Sequence, residues 1–178
     1  SCPPTSRAQW PDGGAARALG QLARSRWLRA TGQKVAAPSA RHSVQWPKSV
    51  TPDIQRWRAA IARTEPKYAG RLEIREAERL HLDAIKAARR WIYIENQYFT
   101  SHIIAEALAE RLLEEDGPEI VLVLPKHSNG WLEQHTMDVL RARTLQRLRE
   151  ADQYGRLGVY YPEIPEIAPQ LLNLHDKV

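Results

Sequence analysis

His175 and Lys177 stand two apart in Leu174-His175-Asp176-Lys177-Val178, the spacing that puts side chains on one face of an extended strand. Asn173 falls behind them on that face, and Leu172, Leu174 and Val178 take the other with Asp176 among them. An imidazole beside an ammonium suits a phosphodiester. The imidazole can attack phosphorus or protonate a leaving oxygen, and the lysine can hold the non-bridging oxygens as charge develops. At about 4 Å in a partly screened site, such a charge pair is worth on the order of 4 kcal/mol before desolvation. An exposed polar terminus would carry the same residues.

A second segment, Ile92-Tyr93-Ile94-Glu95-Asn96-Gln97-Tyr98-Phe99, is a buried-strand pattern that ends abruptly in three polar residues. Ligands of open α/β sheets collect at the carboxyl ends of strands, which makes Glu95, Asn96 and Gln97 candidate substrate-binding residues. An ordinary strand-to-helix turn, its amides satisfying local backbone groups, fits the same residues. Thr100-Ser101 then offers a cap for the next helix.

These segments need elements to position them. Ala16, Leu19, Ala23 and Trp27 recur at helical spacing after Asp12, an N-cap residue, with Gly32 as a stop, so residues 13–31 read as an amphipathic helix. Pro38, Pro47, Pro52 and Pro66 then punctuate a connection from Gln33 to Arg71, packed by Trp46 and Trp57, with one short helix expected around Ile54–Ile61. Ala77, Leu80, Ala84, Ile85 and Ala88 mark a helix over 74–90. Trp91–Glu95 is apolar on both alternating faces and reads as a central, nearly inaccessible strand. A helix through Ile104, Leu108 and Leu112 stops at Gly117-Pro118, and Glu119–Leu124 is a second buried strand. A long helix from Leu132 to Asp152 and a strand at 157–161 follow, and Leu171–Val178 begins a fourth strand. Alternating helices and strands give an α/β fold, expected as an α/β/α layered sandwich on a largely parallel or mixed sheet. The division expected is residues 1–72, a helix and a Pro/Trp-rich connection, and residues 73–178, an α/β domain.

Composition narrows the class. Of 178 residues 43% are hydrophobic and 26% charged, the balance of a globular protein. No stretch approaches the ~20 apolar residues of a membrane span; the chain is expected to be soluble or peripheral to a membrane. Cys2 is the single cysteine, so no internal disulfide or cysteine-based zinc site exists. His127 and His135 are too far apart for a zinc helix motif, and Gly13-Gly14 lacks the Lys-Ser/Thr of a phosphate loop. The net charge of +5, with a pI near 9.6, favours phosphodiesters, nucleic acid or an anionic membrane surface. A solvated arginine-rich surface with helical ion pairs gives the same total.

The segment Ile92–Phe99 resembles the signature that precedes the second H-x-K-x4-D motif of the phospholipase D superfamily. The interval from Asn96 to His175 is similar to the family's, as are the Ile120–Pro125 strand and the Tyr160-Tyr161-Pro162 strand end. The resemblance spans Glu76–Val178 and extends more weakly to Ala15–Gly32. It implies one half of a two-lobed fold and a metal-independent double displacement through a phosphohistidine, with no cofactor. By position His175 is the leaving-group acid and Lys177 a phosphate clamp. The departures are plain: no first motif occurs in this sequence, and the second reaches Val178 before its aspartate and Gly-Ser segment.

The resemblance therefore implies phospholipid hydrolysis or transphosphatidylation in a full-length parent, completed by an N-terminal catalytic half. The chain alone is expected to be inactive. A superfamily nuclease and a non-catalytic binding half-domain are the alternatives.

Overall fold

A computed structural model describes residues 13–39, 49, 51, 59–126 and 131–163, the side chains of residues 13 and 131–136 excepted. The chain divides into two compact units, Ser1–Ala62 and Arg63–Val178.

In the first unit, α1 spans Gly13–Thr31. It ends where the glycine reading places the stop: Gly32 adopts φ +73°, a conformation costly for residues with a Cβ. The Gly32 N–H donates to Leu28 O at 2.8 Å, and Thr31 Oγ1 donates to Trp27 O at 2.8 Å. The Asp12 cap lies outside the described residues. Residues 59–61 take no regular structure, so the helix expected around Ile54–Ile61 does not reach its C-terminal end; 54–58 lie outside the described residues.

The second unit opens on a small antiparallel pair, β1 (Thr64–Glu65) with β2 (Ile74–Arg75). This pair draws residues 63–72 into the second unit, ahead of the boundary expected at 72. It also shortens the helix expected over 74–90 to α2, Glu76–Ala87. Glu76 fixes the junction. Its carboxylate accepts from the Arg63 backbone N–H at 3.0 Å and from Arg63 Nε and Nη2 at 2.8 and 2.6 Å. These hydrogen bonds from Arg63 pull its pKa from 4.5 down to about 2.

The principal sheet is parallel, in the order β3 (Trp91–Glu95), β4 (Glu119–Val123), β5 (Leu157–Tyr160). Its crossovers are α3 (His102–Leu113) and α4 (Trp131–Ala151). The three strands and α4 fall within a residue of the sequence pattern, whereas α3 ends at Leu113, ahead of the stop expected at Gly117-Pro118; the α/β class is that of the structure. Right-handed crossovers along a sheet built in one direction place both helices on one face. That face carries Ile92, Ile120 and Leu122, which with Leu108, Ala109, Leu112 and Leu148 form the core.

The reading of β3 needs correction. Among the described strands β4 is central and β3 lies at the edge, and Trp91 and Tyr93 are 67% and 44% exposed. Only Ile92 on this strand is buried. Trp91 and Tyr93 are apolar enough to suggest a doubly covered strand, but each keeps a polar atom that tolerates water. Register aligns Tyr93 with Val121 and Gly158, and Glu95 with Val123 and Tyr160, on the face opposite the core. No helical layer covers that face among the described residues. The strand expected over 171–178 lies outside them.

Candidate functional site at the carboxyl edge of the sheet

Parallel strands put the ends of β3, β4 and β5 on one edge, where both crossover helices begin. The Asn96 N–H donates to Val123 O at 3.1 Å, extending the β3–β4 ladder one residue past Glu95. Asn96 Oδ1 then accepts from the Tyr98 and Phe99 N–H groups at 3.0 and 2.8 Å. This is a side chain standing in for backbone, the turn chemistry of short amides. It holds Phe99 at φ +49°, a conformation that costs a residue with a Cβ roughly 1–2 kcal/mol. The strain is offset by burial, because Phe99 packs into the core at 6% exposure. Two residues later Ser101 caps α3, its oxygen facing the Ile104 N–H at 3.5 Å.

The turn thus fixes where each candidate points. Asn96 is committed through its oxygen to the local backbone. Glu95 Oε2 accepts from the Tyr93 hydroxyl at 2.9 Å, on the face away from the core. Gln97, next in the chain, is half-buried in the turn. The three are adjacent at the strand end. His175 and Lys177 lie outside the described residues.

Other residues gather here that the sequence pattern did not single out. Leu124 N–H donates to Tyr160 O at 2.9 Å, carrying the β4–β5 ladder to the edge. Beyond it Lys126 is exposed, with its ammonium 4.7 Å from the centre of the Tyr161 ring, a cation–π contact. Arg141 of α4 steadies this loop by donating to Pro125 O at 3.1 Å while Nη2 donates to Asp138 at 2.8 Å. His102 begins α3, with Nδ1 3.8 Å from Glu106, and Arg147 holds Glu106 in turn at 3.0 Å. The strand-end rule that selected Glu95–Gln97 reaches Lys126 and Tyr161 equally. A single lysine after a proline simply carries no pattern of its own.

Chemically, the described part of the edge is a holding surface. It offers an ammonium at Lys126, amide groups at Asn96 and Gln97, and the N-terminal dipoles of α3 and α4, all favourable to an anion. Among the described residues no three His, Cys, Asp or Glu side chains converge to hold a metal ion. No helix among them is long and apolar enough to cross a membrane. No family model and no curated protein matches the chain.

Proposed function

We propose that this chain supplies one half of a phospholipase D-like site that cleaves or transfers phosphodiesters, with phospholipids as substrate. The observation that carries it is the segment Ile92–Phe99. Its polar residues sit at the carboxyl end of a parallel strand, on a turn held in a strained conformation. Backbone strain retained beside a strand end is characteristic of sites that must present groups in a fixed geometry. Lys126 and the two helix N-termini at the same edge support an anionic substrate.

In this reading His175 protonates the leaving alcohol and Lys177 offsets charge on the non-bridging oxygens, while Glu95, Asn96 and Gln97 shape the wall of the cleft. The nucleophile is a second histidine supplied from outside this chain. It forms a covalent phosphohistidine as the head group leaves with the proton from His175. Water or an alcohol, deprotonated by the same His175, then releases the phosphatidyl group. One histidine cannot serve as nucleophile and acid in a single step.

The test is head-group release from phosphatidylcholine by the chain alone and joined to a segment bearing an H-x-K-x4-D motif. The joined protein should turn over, and His175→Ala should abolish that activity. Turnover by the chain alone that disappears in His175→Ala would contradict the need for a second histidine. Undiminished turnover in His175→Ala would remove the proposed site.

A further inference from the structure

The chain's charge is not evenly spread. Ser1–Ala62 carries ten Lys and Arg against two acidic residues, a net of +8, whereas Arg63–Val178 carries 16 against 19, a net of −3. Within the first unit, residues 13–39 contain Arg17, Arg24, Arg26, Arg29 and Lys34 and no Asp or Glu. The helix α1 occupies most of that stretch and is about 28 Å long. Its sequence has four arginines and no Asp or Glu, unlike α2 and α3, which carry residues of both signs.

The same helix exposes large apolar groups. Leu19, Trp27 and Leu28 are 43%, 50% and 44% exposed, and no described residue of α1 is buried. Ala16, Leu19, Ala23, Trp27 and Ala30 line one face at helical spacing, with Arg26 beside it on one flank and Arg24 on the other, Arg17 and Arg29 farther round, and Leu28 on the far side. Arg24 and Arg26 flank the apolar face, where a long side chain lays its stem on apolar surface and lifts its charge into headgroups. A helix this rich in arginine cannot cross a bilayer. A basic polar side, an apolar face and a tryptophan suit one that lies in the plane of a bilayer surface.

We infer that α1 docks the protein on an anionic lipid surface, with Leu19 and Trp27 entering the acyl boundary and Arg24 and Arg26 meeting the headgroups. Charge complementarity selects the occupant, and the aliphatic stripe of Ala16, Leu19, Ala23 and Ala30 favours lipid over single-stranded nucleic acid, which stacks on aromatic rings but gains little from aliphatic groups. The inference does not rest on the phosphodiester proposal: vesicle binding would persist if head-group release were never observed.

The full chain should co-sediment with vesicles of equimolar phosphatidylcholine and phosphatidylserine and remain in solution with phosphatidylcholine alone. Raising salt from about 0.05 M to about 0.5 M should release it, because exposed charges are screened beyond a few ångströms at the higher value. Arg17 and Arg29 already make other contacts, so the informative variant is Arg24→Gln with Arg26→Gln. Each basic group near an anionic surface is worth roughly fivefold, so the double variant should bind about 30-fold more weakly with unchanged circular dichroism. Trp27→Ala should weaken binding about tenfold. Equal binding to neutral vesicles, insensitivity to salt, or full binding by the folded double variant would overturn the inference. Tighter binding to a single-stranded oligonucleotide than to the anionic vesicles would overturn it in favour of nucleic acid.

Discussion

Replacing Asn96 with alanine removes the one acceptor that serves both the Tyr98 and Phe99 N–H groups, at 3.0 and 2.8 Å in a half-buried turn. Each such bond contributes roughly 0.5–1.5 kcal/mol net, so the pair is worth about 2 kcal/mol. The loss also releases Phe99 from its φ of +49°, which loosens the ring's seat in the core. Asn96→Asp is the control: a carboxylate oxygen accepts the same two bonds and sits well before the N-terminus of α3, so it should cost under about 0.5 kcal/mol. In urea unfolding, Asn96→Ala should lower the midpoint by about 1 M for a slope near 2 kcal/mol/M, and Asn96→Asp should barely move it. An Asn96→Ala midpoint equal to that of the parent would show that the turn does not depend on the side chain. An Asn96→Asp midpoint as low as that of Asn96→Ala would show that the amide donor, not the oxygen, holds the turn. Either result refutes the account of this loop.

Three further expectations concern stability. Arg156 donates to the carbonyls of Leu112, at 3.0 Å, Glu114 and Gly117, while stacking on Tyr154, so Arg156→Ala should lose about 3 kcal/mol in urea unfolding. Arg156→Lys, without the planar fork, should recover less than half of it; full recovery would reduce the role to charge alone. Leu108→Ala, at a position of 0% exposure, should cost about 3–5 kcal/mol by leaving a cavity under β4, and a cost below about 1 kcal/mol would contradict the packing. Glu76 has a folded pKa of about 2, below its ordinary 4.5, so its contribution is full above 4.5 and lost as pH falls towards about 2. The unfolding midpoints of the parent chain and Glu76→Gln should therefore differ near neutrality and converge in that acid window; a gap that persists below it would contradict the Arg63–Glu76 pairing.

Most of the fold was legible because its long elements repeat their pattern several times. The helices α1, α3 and α4 and the strands β3, β4 and β5 all announce themselves by period, and Gly32, Ser101 and Pro125 mark ends that the structure keeps. The β1–β2 pair escaped notice because two residues per strand leave no room for a period, and pairing depends on a partner ten residues away. The exposure of Trp91 and Tyr93 is a tertiary fact: side-chain type says they can be buried, but crossover handedness decides which face the helices cover. At the site, the strand-end position of Glu95, Asn96 and Gln97 followed from the sequence. The commitment of the Asn96 oxygen to two N–H groups decides for the local turn as far as that oxygen is concerned, a choice among rotamers that residue type leaves open. Lys126 and Tyr161 meet across two strands 35 positions apart in sequence, a juxtaposition no local window contains.

The central claim is that the Glu95–Gln97 turn and the His175–Lys177 pair belong to one site. A nitroxide placed at Gln97→Cys, with Cys2→Ser to keep the label unique, reads this directly through relaxation of nearby protons. Assignment of the His175 ring signals comes from their disappearance in His175→Asn. The account predicts that the label broadens the His175 and Lys177 signals, placing them within about 15 Å, a few side-chain lengths. Sharp, unaffected signals from both residues would contradict it.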